Sequence, residues 1–132
     1  MNTLAAESVG AQWLRQTSGD LIVGAVTALK PNDVGGTDKA GLVTTADNAP
    51  INLDVTAGNL TVISNISANG SGSIDLRTGG TNKAIALNGA TLSSTSGQVQ
   101  VLASGDISTS TANGTTTEIA TSGNALLVAG GA

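Results

Sequence analysis

The sequence predicts an all-β chain whose short strands stack into a solenoid, and three observations carry that prediction. Leu60-Thr61-Val62, Ile74-Asp75-Leu76, Ile85-Ala86-Leu87 and Val99-Gln100-Val101 each set two apolar residues around one other residue. Successive side chains of a strand point to opposite faces, so each unit offers one apolar face and one polar or small face. Equivalent units recur at intervals of roughly 19 to 25 residues, the spacing of stacked repeats. The apolar residues are mostly Val, Ile, Leu and Ala, with one Trp and neither Phe nor Tyr in 132 residues. Such side chains fit thin layers, each resting on its like one strand spacing away, at about 4.8 Å. A β-sandwich is the alternative, because it also has short strands and frequent turns.

Residues 1–17 read differently from the rest. Leu4, Ala5, Val9, Trp13 and Leu14 fall near helical spacing, with Glu7, Gln12, Arg15 and Gln16 on other faces. This predicts a short helical cap or a leader, ended by Thr17-Ser18-Gly19, with Trp13 covering the first layer of an otherwise open core. Strand character begins at Asp20-Leu21-Ile22-Val23. Residues 30–41 break it with Pro31, adjacent Gly35-Gly36 and several charges, and predict an exposed loop. Leu42-Val43 resumes the strand pattern, and Asp47-Asn48-Ala49-Pro50 turns again.

From Ile51 onward the strands fall into columns. One holds Ile51/Leu53/Val55, Ile74/Leu76, Val99/Val101 and then Ile119. A second holds Leu60/Val62, Ile85/Leu87, Ile107 and then Leu126/Val128, and a third holds Ile66 and Leu92. Gly, Asn and Ser at Thr56-Ala57-Gly58, Asn69-Gly70-Ser71-Gly72, Gly79-Gly80, Ser104-Gly105 and Ser122-Gly123 mark the corners. Residues 18–132 thus divide into about five rungs.

The chemistry this chain can carry is narrow. Cys and His are absent, which excludes disulfides, thiol nucleophiles, His-dependent triads and Cys/His zinc sites. The net charge is −4, and the five Lys and Arg residues are scattered, so no basic patch exists for nucleic acid. No apolar run approaches the roughly 20 residues of a membrane-spanning helix. The N-terminus lacks a signal-peptide pattern, which suits a segment excised from a longer chain. Asp33 and Asp38 in the 30–41 loop are weak candidates for a metal ion, opposed by Lys30 and Lys39. Asp54, Asp75 and Asp106 lie in or beside strands, and stacking of Asp54 and Asp75 would make an acidic stripe near Arg77. That stripe is the only candidate for carbohydrate chemistry, and the lack of Tyr and Phe argues against sugar stacking. Four Asn-x-Ser/Thr sequons occur, at Asn59, Asn65, Asn69 and Asn113, in a chain rich in all three residue types.

The stretch from Gly58-Asn59-Leu60-Thr61-Val62 through Gly70-Ser71-Gly72-Ser73-Ile74-Asp75-Leu76 resembles filamentous-haemagglutinin-type repeats. Leu92-Ser93-Ser94-Thr95-Ser96-Gly97-Gln98-Val99-Gln100-Val101 is written in the same manner, and the resemblance covers roughly residues 51–131. Such repeats belong to very large secreted bacterial adhesins and autotransporter passengers. The resemblance implies a right-handed parallel β-helix acting as a rigid rod on the cell surface. It implies no active-site residues.

These readings converge on a non-enzymatic structural segment without cofactors: a stalk, adhesin shaft or filament subunit of an extracellular or surface-displayed bacterial protein. Leu126-Leu127-Val128 forms a strand with no polar cap, so the polypeptide is expected to continue or to stack on copies of itself. The expected interface residues are Leu126, Val128 and Trp13, and the expected partners are neighbouring repeats, other copies, or a host or cell-surface molecule. Two alternatives stand beside this reading. One is a small β-sandwich binding module of an extracellular protein; the other is a carbohydrate-active β-helix.

Overall fold

Two-residue alternation governs the strands from Leu21 to Ala103, where buried residues alternate with more exposed ones, except at Ala25–Val26 and Lys39–Ala40. The computed structural model describes residues 2–27, 38–112 and 114–130. The chain runs through β1 (Asn2–Leu4), β2 (Ala6–Ser8) and β3 (Gln12–Gln16), then β4 (Leu21–Val23). A short hairpin of β5 (Ala25–Val26) and β6 (Lys39–Ala40) precedes β7 (Leu42–Thr44) and β8 (Ile51–Val55). There follow β9 (Leu60–Val62), β10 (Ile66–Ala68), β11 (Ile74–Thr78), β12 (Ile85–Asn88), β13 (Thr91–Ser94) and β14 (Val99–Ala103). The last circuit holds β15 (Ile107–Ser110), β16 (Glu118–Ala120) and β17 (Ala125–Ala129).

Three five-stranded sheets result, ordered β1-β4-β9-β12-β15, β2-β7-β10-β13-β16 and β3-β8-β11-β14-β17. Every pairing within them is parallel. The chain therefore visits the same three sheets in turn, five times, and each strand pairs with its equivalents one circuit earlier and later. Among the described residues, antiparallel pairing is confined to β5–β6 and an isolated bridge between Ala112 and Thr115. That is not the pairing of an antiparallel sandwich.

The core fills the space between the sheets with columns of like residues. Leu14, Leu53, Leu76, Val101 and Leu127 stack in one column, and Ala6, Leu42, Ile66, Leu92 and Ile119 in another. Branched aliphatic side chains repeat well at this spacing, because each meets its own shape above and below. No aromatic residue enters the core.

Corner hydroxyls join one circuit to the next. Ser94 Oγ donates to Gly72 O at 2.7 Å and accepts from Gly97 N at 2.9 Å, and Thr121 Oγ1 repeats the arrangement with Gly97 O and Gly123 N. Ser94 is buried, so its loss strands polar backbone away from water. Ser94→Ala is expected to lower stability by about 1–3 kcal/mol, read as a lower urea midpoint with an unchanged slope.

Two expectations need correcting, and one lies outside the described residues. Residues 2–16 form no helix: they are β1, β2 and β3, the first strand of each sheet. Polar residues at inward positions, Gln12 above all, hide the two-residue period there, and pairing of β3 along β8 decides the outcome. Trp13 accordingly points outward and covers nothing. The last circuit is also offset from the expected columns. Ile119 stacks on Leu92, and it is Ala125 and Leu127 that continue the Val99/Val101 column, so Leu126 and Val128 face outward beside Gln100 and Leu102. Most of the 30–41 loop, including Asp33, is outside the described residues. The part that is described carries Lys39, which pairs with Glu7 of β2 at 3.0 Å.

Candidate functional site

The outward face of the β3-β8-β11-β14-β17 sheet brings together two arginines, two aspartates, an asparagine and the tryptophan. The two-residue period leaves Trp13 and Arg15 outside on β3, Asn52 and Asp54 on β8, and Asp75 and Arg77 on β11. Register then sets two files side by side: Trp13, Asn52, Asp75, Gln100, Leu126, and Arg15, Asp54, Arg77, Leu102, Val128. The second file alternates in sign where it is charged. Arg15 Nε lies 3.4 Å from Asp54 Oδ2. Arg77 holds Asp75 with a two-pronged contact, Nε to Oδ1 at 2.9 Å and Nη2 to Oδ2 at 2.7 Å.

The contact with Asp75 favours the charged form of Arg77. The Arg77 pKa is raised above its ordinary value by the hydrogen bond to Asp75 and by the charge of Asp75, against an opposing effect of burial, with the charge of Asp54 adding least. A surface pair of this kind adds little stability, but a bidentate fork holds both side chains in one orientation. A shallow depression of about 470 Å³ lies over the group, lined by Trp13, Arg15, Asn52, Asp54, Asp75 and Arg77, with Leu14 and Leu53 behind them. Trp13 is 75% exposed.

The expected acidic stripe is therefore different in form. Asp54 and Asp75 both face outward, but they lie in different files, and Asp54 stands in register between Arg15 and Arg77. Asp106 is elsewhere, at the corner before β15, where its backbone carbonyl accepts from Ile85 N. The expected interface residues are not brought together: Trp13 is on the first strand of this sheet, and Leu126 and Val128 are on the last. Asp38 lies beside β6, and no group of three or more metal-ligating side chains occurs among the described residues.

Three of the sequon asparagines serve as corner links. Asn59 Oδ1 accepts from Ala84 N and its Nδ2 donates to Asp20, Asn65 Oδ1 accepts from Thr91 N, and Asn69 Nδ2 donates to Thr45 O. Asn113 lies outside the described residues.

Sequence reasoning missed the placement of Trp13 beside the carboxylates. A signal was present: Trp13-Leu14-Arg15, Asn52-Leu53-Asp54 and Asp75-Leu76-Arg77 share one spelling, an inward Leu between two outward polar or aromatic residues. No helix among the described residues is long and apolar enough to cross a membrane. Compared with known proteins, the chain matches no family model, no curated protein and no solved structure.

Proposed function

We propose that this chain is a segment of right-handed parallel β-helix that serves as a stalk, adhesin shaft or filament subunit of a large secreted or surface-displayed bacterial protein, of the filamentous-haemagglutinin or autotransporter kind. The observation that carries this reading is the fivefold return of the chain to the same three parallel sheets in the same order. The right hand follows the strong preference of parallel connections. Its role is mechanical and not catalytic. Each rung adds a layer of aliphatic contacts and a set of backbone bonds to its neighbours alone, so length is gained by addition and stiffness by stacking.

Free edges at either end of the ladder accept the next rung, from a continuing polypeptide or from another copy. At one end that edge is β17, where Leu127 continues the inner column and is 44% exposed. β1, β2 and β3 form the other.

Removal of one rung tests the reading. Deleting residues 74–98 takes out β11, β12 and β13 and lets Val99 follow Ser73, in the place Ile74 held. The shortened chain is expected to keep parallel β circular dichroism and cooperative melting at a lower temperature. Its longest dimension by small-angle scattering should shrink by about 4.8 Å. Loss of cooperative unfolding would sink the solenoid.

A further inference from the structure

The geometry points to a binding site for a neutral saccharide on the outer face around Trp13, independent of any role of the chain as a shaft. The first observation is an inversion at two adjacent residues. On β3 the amide of Gln12 is turned inward and is 5% exposed, while the indole of Trp13 is turned out and is 75% exposed. Gln12 Nε2 donates to Val43 O at 2.8 Å, but its buried Oε1 has no partner among the described residues. An inward place was thus available on this strand, and the most apolar side chain of the pair does not occupy it. Departures from the burial rule that are unfavourable on both sides mark functional positions.

The second observation is what surrounds the indole. Two carboxylates and two guanidinium groups share the depression, and they neutralise one another locally: Arg15 with Asp54, Arg77 with Asp75. An anion there meets Asp54 and Asp75, and a cation meets Arg15 and Arg77. A wholly apolar ligand would take four charged groups out of water with nothing in return. The remaining class has one flat apolar face and a rim of hydroxyls, which is the chemistry of a pyranose ring. Its C–H groups lie on the electron-rich face of the indole. Its hydroxyls find free lone pairs on Asp54 and Asp75, N–H groups on Arg15 and Arg77, and both kinds on Asn52.

The third observation is preorganisation and reach. Asp75 is only 18% exposed and is held by the two-pronged contact from Arg77, so little order is lost when a ligand arrives. From Trp13 to Arg77 the site spans three strands, or about 10 Å along the stack. That is roughly the length of a disaccharide.

The sole Trp makes the test direct, because its emission reports on this site and no other. The chain is titrated with maltotriose, cellotriose, chitotriose and a β-galactose trisaccharide. At least one is expected to shift the emission saturably, with a dissociation constant of ~1 mM. By calorimetry, Trp13→Ala should abolish the binding of that sugar and Trp13→Phe should retain it. Arg77→Gln should weaken it by about tenfold. Unchanged circular dichroism of the Trp13 variants separates binding from folding. The proposal is overturned if none of the four sugars gives a saturable shift, if Trp13→Ala binds as well as the parent chain, or if the emission moves with protein concentration alone, which would make Trp13 a contact between copies.

Discussion

Gly97→Ala is expected to destabilise the chain by about 3 kcal/mol, at the upper end of what inserting a single methyl group does in a packed interior. Gly72, Gly97 and Gly123 stand at the same corner in successive circuits, just before β11, β14 and β17. A Cβ at Gly97 would sit inside van der Waals contact with the carbonyl oxygen of Gly72, and 2.6 Å from its carbonyl carbon and from Ser71 O. These are backbone atoms, so no side chain can swing aside. Relief requires the circuits to part, and parting breaks the hydrogen bonds from Ser94 Oγ to Gly70 O and Gly72 O that join them at this place. Gly10→Ala is the matched control, because nothing lies within 4 Å of its Cβ position. Its effect should stay within about 1 kcal/mol and can be stabilising, through a less flexible unfolded chain. Urea midpoints of the two variants decide the matter. Equal midpoints would mean that the circuits do not press on one another as described.

Leu76→Ala is expected to be as severe, at about 2–5 kcal/mol. Leu76 is fully buried at the centre of its column, between Leu53 and Val101. The neighbours are fixed by the ladder above and below, so the cavity cannot collapse sideways. Leu127→Ala removes the same atoms from the same column, but at its end, where the side chain is 44% exposed. Its cost should be no more than about half as large, in proportion to the area that is covered. Thermal melting of the two variants gives the comparison. If Leu127→Ala costs as much as Leu76→Ala, then the last rung is covered in solution by something else.

The middle of the fold was legible because its chemistry is redundant. Leu60/Val62, Ile85/Leu87 and Ile107 share one column and Ile66 and Leu92 another, as their spacing predicted. Most inward positions there are aliphatic, the buried Thr44, Thr78 and Ser94 at strand ends being polar, and most outward ones are polar or small. The ends were less legible for one physical reason. Inward positions of an end circuit have a neighbour on one side only, so they tolerate Gln12, Ala6 or Thr109, and the alternation fades. In residues 2–16 the fading imitated helical spacing. In residues 118–129 the run Leu126-Leu127-Val128 is apolar on both faces, and the choice of inward residue passes to the register of β17 along β14.

The candidate site was half legible. Asp54, Asp75 and Arg77 could be placed on outward positions from the two-residue period alone. Which of them meet could not, because contact across strands depends on the length of each circuit, and the circuits differ. Trp13 was lost with the helix: once β3 is a strand, Trp13-Leu14-Arg15 falls into line with Asn52-Leu53-Asp54, and the indole arrives beside the carboxylates.

The order in which each sheet is filled has a consequence for how the chain is made. Within all three sheets spatial order equals chain order, so each strand's partners lie one circuit away and never at the far end of the polypeptide. Closing such a contact asks for one loop of modest length, repeated, with no single long-range search. A finished circuit already presents the free edge on which the next strand aligns. Assembly can therefore keep pace with a chain that emerges gradually from one end, as a ribosome or a narrow pore delivers it, each new stretch crystallising on the last.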